Sequence, residues 1–213
     1  MTGSVTQLGD AARGLIYIHQ QGMIHGDLKG VCSGCSEPLP FLTVFSVKDN
    51  ILVDQTGHAR LADFGFLTMI LDAATNLPSS SYSVGGTLRW MSPELVAPGK
   101  FGLETSRPTK FSDCYSLGMV IYETISGKKP YHETQDLAVL VKIIEGEQPR
   151  RCEGFLESLW GIMEQCWTFQ PNGRPGVESV LRCLETCSKS LSSPPGMDGR
   201  LGEDLGFNGS YHP

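Results

Sequence analysis

The sequence predicts an α+β fold of one domain that is mostly α-helical and carries one small β-hairpin. Apolar residues recur at helical spacing in five segments, which begin near residues 4, 114, 137, 156 and 177. Two short β-leaning runs, 50–54 and 58–62, flank Gln55-Thr56-Gly57 in the manner of a hairpin. A chain of 213 residues with 40% apolar content can bury one substantial core. We therefore expect a single helical unit with a hairpin after its first helix.

The helix ends and the segments between them have their own signals. Ser4 and Gln7 have the spacing of a capping box, and Gly22 is a typical stop for the first helix. Residues 66–92 are rich in Ser, Thr and Gly without periodicity, which predicts a long loop, and such loops are usually functional. Residues 188–213 are dominated by Ser, Pro and Gly and predict a disordered tail.

The composition argues against several classes of partner. The 17 basic and 23 acidic residues give a net charge of -6, and no run of like charges is long enough for a nucleic-acid or membrane patch. No apolar run approaches the ~20 residues that span a bilayer. Seven cysteines, an odd number, lie largely on apolar helix faces, which is typical of reduced thiols. We expect an intracellular, cytoplasmic protein without nucleic-acid or membrane partners.

Two short motifs carry the residue types of phosphoryl-transfer chemistry. His25-Gly26-Asp27-Leu28-Lys29 follows the first helix, and Asp63-Phe64-Gly65 follows the hairpin. Phosphoryl transfer needs a carboxylate that orients the attacking hydroxyl, a cation for the migrating group and oxygen ligands for Mg²⁺. Each motif alone is weak, because Asp-Phe-Gly also occurs as an ordinary turn. Their order along the chain strengthens the interpretation.

The series of motifs resembles the C-terminal lobe of eukaryotic protein kinases, close to the tyrosine-kinase-like group of serine/threonine kinases. Five motifs stand in that family's order: 25–29 is similar to H-R-D-L-K, 63–65 to D-F-G, 92–94 to A-P-E, 113–118 to D-x-W-S-x-G, and Cys166-Trp167 with Arg174-Pro175 to C-W…R-P. The resemblance implies a protein-kinase-like α+β fold, C-lobe only, with the hairpin at the catalytic cleft. It covers residues 1–187 as an incomplete domain.

The resemblance also implies roles for individual residues, with ATP and Mg²⁺ as cofactors and a protein bearing Ser or Thr as substrate. Asp27 would be the catalytic base and Lys29 the cation at the phosphate, while Asn50 and Asp63 would bind Mg²⁺ and the nucleotide. Thr87 would form a hydrogen bond near Asp27 and Lys29. Lys29, together with Gly86-Thr87, favours serine/threonine over tyrosine substrates.

The resemblance implies structural roles for four further residues. Glu94 and Arg174 would form a buried ion pair, Asp113 would brace the backbone of the catalytic loop, and His25 would be structural. Asp113 would also suit the start of any helix as a partner of its dipole.

The chain departs from the family pattern at three places. No glycine-rich loop and no V-A-I-K lysine precede the first helix, so we expect the chain alone to be inactive. Gly26 stands where H-R-D has arginine, which makes activation by loop phosphorylation less favoured. Alternative interpretations are a pseudokinase-like module that binds proteins and a truncated gene product without its own role. Oligomeric state and substrate identity do not follow from the sequence.

The third departure is an insertion of about residues 32–49 between Lys29 and Asn50. The family has two residues there, and this chain has positions 30–49. Eighteen added residues should move Asp27 and Asn50 apart, although loop entropy alone would tolerate them. The pair Cys32 and Cys35 has the spacing of half a zinc site, but no second pair matches it.

Deleting residues 32–49 restores the family spacing in frame, so we expect a retained intron or gene-model artefact. Peptide mapping of the native protein should show Gly30-Val31 joined to Asn50. An intact peptide containing Cys32 and Cys35 at full abundance would refute this prediction.

Overall fold

The computed structural model describes residues 2–29, 50–62, 68–69 and 87–192. Within these ranges lie six α-helices: α1 (Thr2–Gln20), α2 (Pro93–Val96), α3 (Lys110–Ser126), α4 (Asp136–Glu145), α5 (Glu157–Cys166) and α6 (Val177–Ser192). The strands in the same ranges are β1 (Met23–Ile24), β2 (Ile51–Val53), β3 (Ala59–Leu61) and β4 (Thr68–Met69). The predicted mostly helical fold is confirmed. No described helix is long and apolar enough to cross a membrane.

Helix α3 is the centre of the core. Every residue from Ser112 to Glu123 is buried, and the helix packs against α1 and α5. A capping box begins the helix: Thr109 Oγ1 accepts a hydrogen bond from Ser112 N at 3.2 Å, and Ser112 Oγ accepts one from Thr109 N at 2.8 Å. Gly127 ends it with φ +67°, a left-handed conformation that suits glycine. This helix is the frame on which the other elements are placed.

The first and last described helices pack against each other at the edge of this core. Leu8 and Leu15 of α1 are buried, as are Val180 and Leu184 of α6. The contact between the two helices is the most extensive helix pair in the described structure. Burial of their apolar faces, rather than intrinsic helix propensity, is what holds two amphipathic helices of this length.

Two small antiparallel sheets flank α1. Strands β2 and β3 pair with Val53 opposite Ala59, which confirms the predicted hairpin. Strand β1 pairs with β4, with Met23 opposite Met69, and the sequence did not predict this pairing. Two-residue strands leave no periodic signal, and residues 68–69 lie inside the predicted loop of 66–92. Residues 88–90 of the same segment form a 3₁₀ turn, while 63–67 and 70–86 lie outside the described residues.

Two predicted boundaries were wrong. Helix α1 includes Ser4, so Ser4 does not cap it, and α6 continues to Ser192 rather than ending at 187. Residues 188–192 are helical rather than part of a disordered tail. Partly buried Leu191 packs against the core, and Ser190 Oγ donates a hydrogen bond to Thr186 O at 3.1 Å. Such extensions past a polar stretch follow from packing, which composition alone does not show. Residues 193–213 of the predicted tail lie outside the described residues.

Asp54 organises the turn between β2 and β3. Its Oδ1 accepts hydrogen bonds from Thr56 Oγ1 at 2.6 Å, Thr56 N at 3.0 Å and His58 N at 3.1 Å. The bond from the Thr56 hydroxyl, followed by that from His58 N, lowers the pKa of Asp54 from 3.8 to about 2. A lowered pKa in the folded state means that this turn is stabilised above pH 3.8 and loses that stabilisation as the pH falls towards 2.

We expect a carbon-detected NMR titration to place the Asp54 midpoint at about 2 in the folded chain. Thr56→Val removes the strongest donor and should move the midpoint upward, towards the ordinary value of 3.8. Thr186→Val, distant on α6, is the control and should leave it unchanged. An Asp54 midpoint near 3.8 in the unmodified chain would contradict this description of the turn.

Candidate active site

The buried carboxylate of Asp113 fixes the start of the catalytic-loop segment, residues 25–29. Its Oδ2 accepts a hydrogen bond from His25 N at 2.9 Å, and its Oδ1 accepts one from Gly26 N at 2.9 Å. His19 Nε2, from the last turn of α1, lies 2.8 Å from Asp113 Oδ2. With 1% exposure, Asp113 depends on these donors to compensate for its burial. The contacts connect α3, α1 and the loop at one carboxylate.

Gly26 has φ +79°, in the left-handed region. A glycine adopts this conformation without the steric cost that a Cβ imposes. The conformation turns the backbone so that the successive N–H groups of residues 25 and 26 point at one carboxylate. Replacement of the family's arginine by glycine therefore removes a guanidinium but leaves the loop backbone in an unstrained conformation.

The side chains of Lys29 and Asn50 both contact that of Asp27, just after residues 25 and 26 of the loop. Lys29 Nζ lies 3.1 Å from Asp27 Oδ2, and Asn50 Nδ2 donates to the same oxygen at 3.1 Å. Asn50 Nδ2 also donates to the backbone carbonyl of Asp27. The Asp27 backbone N–H donates in turn to His25 Nδ1 at 3.3 Å. A carboxylate, an ammonium and an amide thus share one small, largely buried site.

The expectation that the insertion would separate Asp27 from Asn50 was wrong. The two residues are in direct hydrogen-bond contact although twenty positions, 30–49, lie between Lys29 and Asn50. Closing a longer loop adds little free energy, and the hairpin that begins at β2 holds Asn50 independently of the residues before it. Residues 30–49, including Cys32 and Cys35, lie outside the described residues.

The fit of the implied metal and nucleotide can be tested on Asn50 and Lys29. Because Asn50 Nδ2 donates to Asp27, the amide oxygen is the atom left to ligate a hard cation such as Mg²⁺. Lys29 keeps a partly exposed ammonium beside it, which suits a phosphate oxygen. Asp63, the other expected Mg²⁺ ligand, lies outside the described residues. The described residues contain no group of three or more His, Cys, Asp or Glu side chains suited to a metal.

Thr87 is half-buried and directly precedes the 3₁₀ turn of Leu88–Trp90. Its carbonyl accepts a hydrogen bond from Trp90 N at 3.0 Å. Among the described residues, no hydrogen bond joins Thr87 to Asp27 or Lys29. The expected contact of Thr87 with those two residues is therefore not made in this arrangement, and its catalytic role stays a prediction.

Glu94 and Arg174 form a bidentate, buried ion pair. Arg174 Nη1 and Nη2 donate to the two carboxylate oxygens of Glu94 at 2.6 and 2.7 Å, with the residues 4% and 2% exposed, respectively. The guanidinium also donates to the carbonyls of Thr168 and Phe111 and lies 5.0 Å from the ring centre of Tyr115. These contacts satisfy both buried charges and tie the segment 92–94 to α3 and to the turn before α6.

Sequence reasoning missed two residues that position the site. His19 could have been found because it lies one turn after Leu15 on the buried face of α1. Arg89 had no such signal: it donates to the carbonyls of Pro130 and Tyr131 at 2.8 and 2.7 Å and to Asp136 Oδ1 at 2.6 Å. It therefore joins the turn after Thr87 to the start of α4.

Comparison with known proteins agrees with this geometry. Residues 47–184 match the family described as protein tyrosine and serine/threonine kinase. Cytokinesis protein sepH of Aspergillus niger is 31% identical over 175 residues, or 82% of this chain and 11% of that relative. MAP3K epsilon protein kinase 1 of Arabidopsis thaliana is 28% identical over 174 residues, 82% of this chain and 11% of the relative. Cell division control protein 7 of Schizosaccharomyces pombe is 28% identical over 170 residues, with 80% and 13% covered.

The chain belongs to the protein kinase family. It spans about a tenth of the length of these curated relatives, 11% to 13%.

Removal of one partner of the Glu94–Arg174 pair should strongly destabilise the fold. We expect Arg174→Ala to lower the free energy of unfolding by ~3–5 kcal/mol, because the Glu94 carboxylate would stay buried without compensation. For a chain of this size that loss corresponds to a melting temperature lower by roughly 6–20 °C.

Arg150→Ala is the matched control, since Arg150 is an exposed arginine whose pair with Glu133 is loose at 3.5 Å. Its melting temperature should change by less than about 2 °C. A melting curve of Arg174→Ala that overlays that of the unmodified chain would exclude a stabilising role for the pair.

Proposed function

We propose that this chain carries the catalytic lobe of a protein serine/threonine kinase, which transfers a phosphoryl group from ATP to a protein hydroxyl. The observation that supports the proposal most is the meeting of Asp27, Lys29 and Asn50 at one site whose backbone is fixed by Asp113. These three side chains supply the carboxylate, the cation and the amide oxygen that phosphoryl transfer requires.

Asp27 orients the substrate hydroxyl and accepts its proton as the oxygen attacks the phosphoryl group. The neighbouring hydrogen bonds from Lys29 and Asn50 to Oδ2 leave Oδ1 as the oxygen for that proton. Lys29 would contact the phosphoryl group of bound ATP, and Asn50 together with Asp63 would hold Mg²⁺. When bound, Mg²⁺ and ATP supply the charge neutralisation and the phosphoryl group itself.

The choice of serine/threonine substrates and of the tyrosine-kinase-like group belongs to the proposal. Lys29 and Gly86-Thr87 support serine or threonine as acceptors, and 113–118 together with Cys166-Trp167 support the group. We also propose an intracellular site of action, because the five cysteines among the described residues are all free thiols.

A second candidate is a pseudokinase-like module that binds proteins without catalysis. Helix α4 favours it, because Leu137 and Val141 lie one turn apart with 78% and 51% exposure. Gly26 is compatible with it, since a catalytic loop without the usual arginine has lost one common means of regulation. The two candidates differ in whether phosphate is transferred.

We expect the 213-residue chain alone to transfer no more phosphate from ATP to a generic protein substrate than its Asp27→Asn variant. The printed sequence has no glycine-rich loop, and positioning of the phosphates supplies most of the catalysis in this reaction. Transfer by the chain alone that Asp27→Asn abolishes would contradict this expectation while supporting the proposed chemistry.

The proposal itself is tested by joining the chain to the ATP-binding lobe of a catalytically active protein kinase. Phosphate transfer should then appear and should fall by roughly 10²–10⁴ in Asp27→Asn, the range expected for loss of a catalytic base. Glu153→Gln, a carboxylate-to-amide change at an exposed residue, should leave the rate unchanged. A folded fusion that binds ATP but transfers no phosphate would favour the protein-binding module.

A further inference from the structure

Two buried thiols face each other between α3 and α5. The Sγ atoms of Cys114 and Cys166 are 3.7 Å apart, and the residues are 1% and 0% exposed. One turn after Cys114, a Cβ built on Gly118 would lie 2.7 Å from Cys166 Cβ and 2.8 Å from Trp167 Nε1. The backbone of α3 therefore approaches the end of α5 very closely on the face that carries Cys114.

The close packing of α3 on the end of α5 suits a disulfide bond between Cys114 and Cys166. A disulfide needs an S–S distance of about 2.0 Å and Cα atoms roughly 4.4–6.8 Å apart. The close contact at Gly118 brings the two backbones together, so side-chain rotation and a small helix shift can supply the remaining approach of the sulfurs. We propose that Cys114 and Cys166 are a redox-active thiol pair, which a hydroperoxide converts to a disulfide and a thiol reductant restores.

The other described cysteines are less suited to a disulfide, including Cys183 and Cys187, whose thiols form a hydrogen bond with each other. Cys152 Sγ lies 3.2 Å from the Tyr122 hydroxyl, and Cys187 Sγ lies 3.1 Å from Ser158 Oγ. Cys183 and Cys187 are one turn apart on α6, where Cβ atoms are about 5–6 Å apart, beyond the reach of a disulfide in an intact helix. Within the described residues the geometry thus selects Cys114 and Cys166.

Oxidant can reach the pair through the irregular segment before α6. Cys114 Sγ donates to the carbonyl of Pro175 at 3.1 Å, so this segment covers the thiol. Pro175 is only partly buried and Gly176 is exposed, and the residues lie between the 3₁₀ turn Pro171–Gly173 and α6. Opening of Pro175 and Gly176 alone, with Arg174 still paired to Glu94, requires far less free energy than global unfolding.

The chemistry balances with hydrogen peroxide as the oxidant. The Cys166 thiolate attacks one peroxide oxygen, the O–O bond breaks, and sulfenic acid and hydroxide form. The Cys114 thiolate then attacks the oxidised sulfur, the S–S bond forms and a second hydroxide leaves. The two protons released by the thiols convert both hydroxides to water. Two thiols and one peroxide thus give one disulfide and two water molecules.

The thiols should react slowly at neutral pH. The hydrogen bond that the Cys166 thiol shares with Cys114, followed by burial, raises the pKa of Cys166 well above its usual value of 9.0, so little thiolate is present. The thiolate fraction grows with pH, because deprotonation is the step that forms the nucleophile. Oxidation should therefore accelerate on going from pH 7 to pH 9.

The test uses the folded full chain treated with hydrogen peroxide, then alkylated in denaturant and digested without reduction. Trypsin leaves Cys152 and Cys166 in one peptide, 152–182, because the bond before Pro175 resists cleavage. Cleavage after Glu104, Glu123, Glu164 and Glu178 separates Cys152 from Cys166. It places Cys114 in peptide 105–123 and Cys166 in peptide 165–178. Mass spectrometry should find these two peptides joined, and dithiothreitol should separate them.

The joined peptides should be roughly tenfold more abundant than any other disulfide containing Cys114 or Cys166, because this is the only pair aligned among the described cysteines. Chain oxidised in denaturant is the control and should give a mixture of disulfides. In Cys152→Ser the cross-link should persist, whereas Cys114→Ser should give no cross-link and leave Cys166 as a sulfenic acid, which dimedone traps. The proposal is overturned if Cys114 and Cys166 remain alkylatable while Cys183 is oxidised, if no thiol reacts up to pH 9, or if the cross-link forms only in denaturant.

Discussion

The arrangement of the candidate site depends on one buried carboxylate, that of Asp113. A charge with 1% exposure is tolerated only where donors replace the lost water, and Asp113 has three: His19 Nε2, His25 N and Gly26 N. One donor comes from α1 and two from the loop, while the acceptor belongs to the central helix α3. The hydrogen bonds that compensate for the burial of Asp113 are therefore the same bonds that fix the backbone of residues 25 and 26.

The segment before α2 is held by the same means, with side chains in place of regular backbone pairing. Trp90 Nε1 donates to Glu123 Oε2 at 3.1 Å, and Ser116 Oγ donates to the carbonyl of Trp90 at 2.8 Å, which attaches the 3₁₀ turn to α3. Arg89 attaches its other side to the start of α4, and Glu94 is paired with Arg174. Short, irregular segments near the site thus derive their positions from α3 and its neighbours. Substitutions that disrupt core packing around α3 should therefore also displace residues of the site.

The sequence predicted the elements whose signal lies in their own residues. Helical periodicity located α1, α3, α4, α5 and α6, and two β-leaning runs around a glycine turn located the hairpin. The catalytic-loop residues could be named because they follow one another in a recognisable order. The extension of α6 to Ser192 depends on the packing of Leu191, whereas His19 could have been found from its place on the buried face of α1. The strand pair β1 and β4 and the role of Arg89 could not be predicted, since each depends on a partner distant in sequence. The position of Asn50 is the clearest case.

Asn50 shows why spacing in sequence is a poor guide to spacing in a folded site. The added residues before it suggested that it would be displaced from Asp27, yet its amide donates to both the carbonyl and the carboxylate of Asp27. Two independent supports explain this: Asp113 fixes residues 25 and 26, and the β2–β3 hairpin, with Asp54 at its turn, fixes the chain from Ile51 onward. Each side of the site is anchored to the core by its own contacts, so the length of the connection between them has little influence on their meeting. The described residues therefore keep Asp27 and Asn50 in contact across the long connection between them.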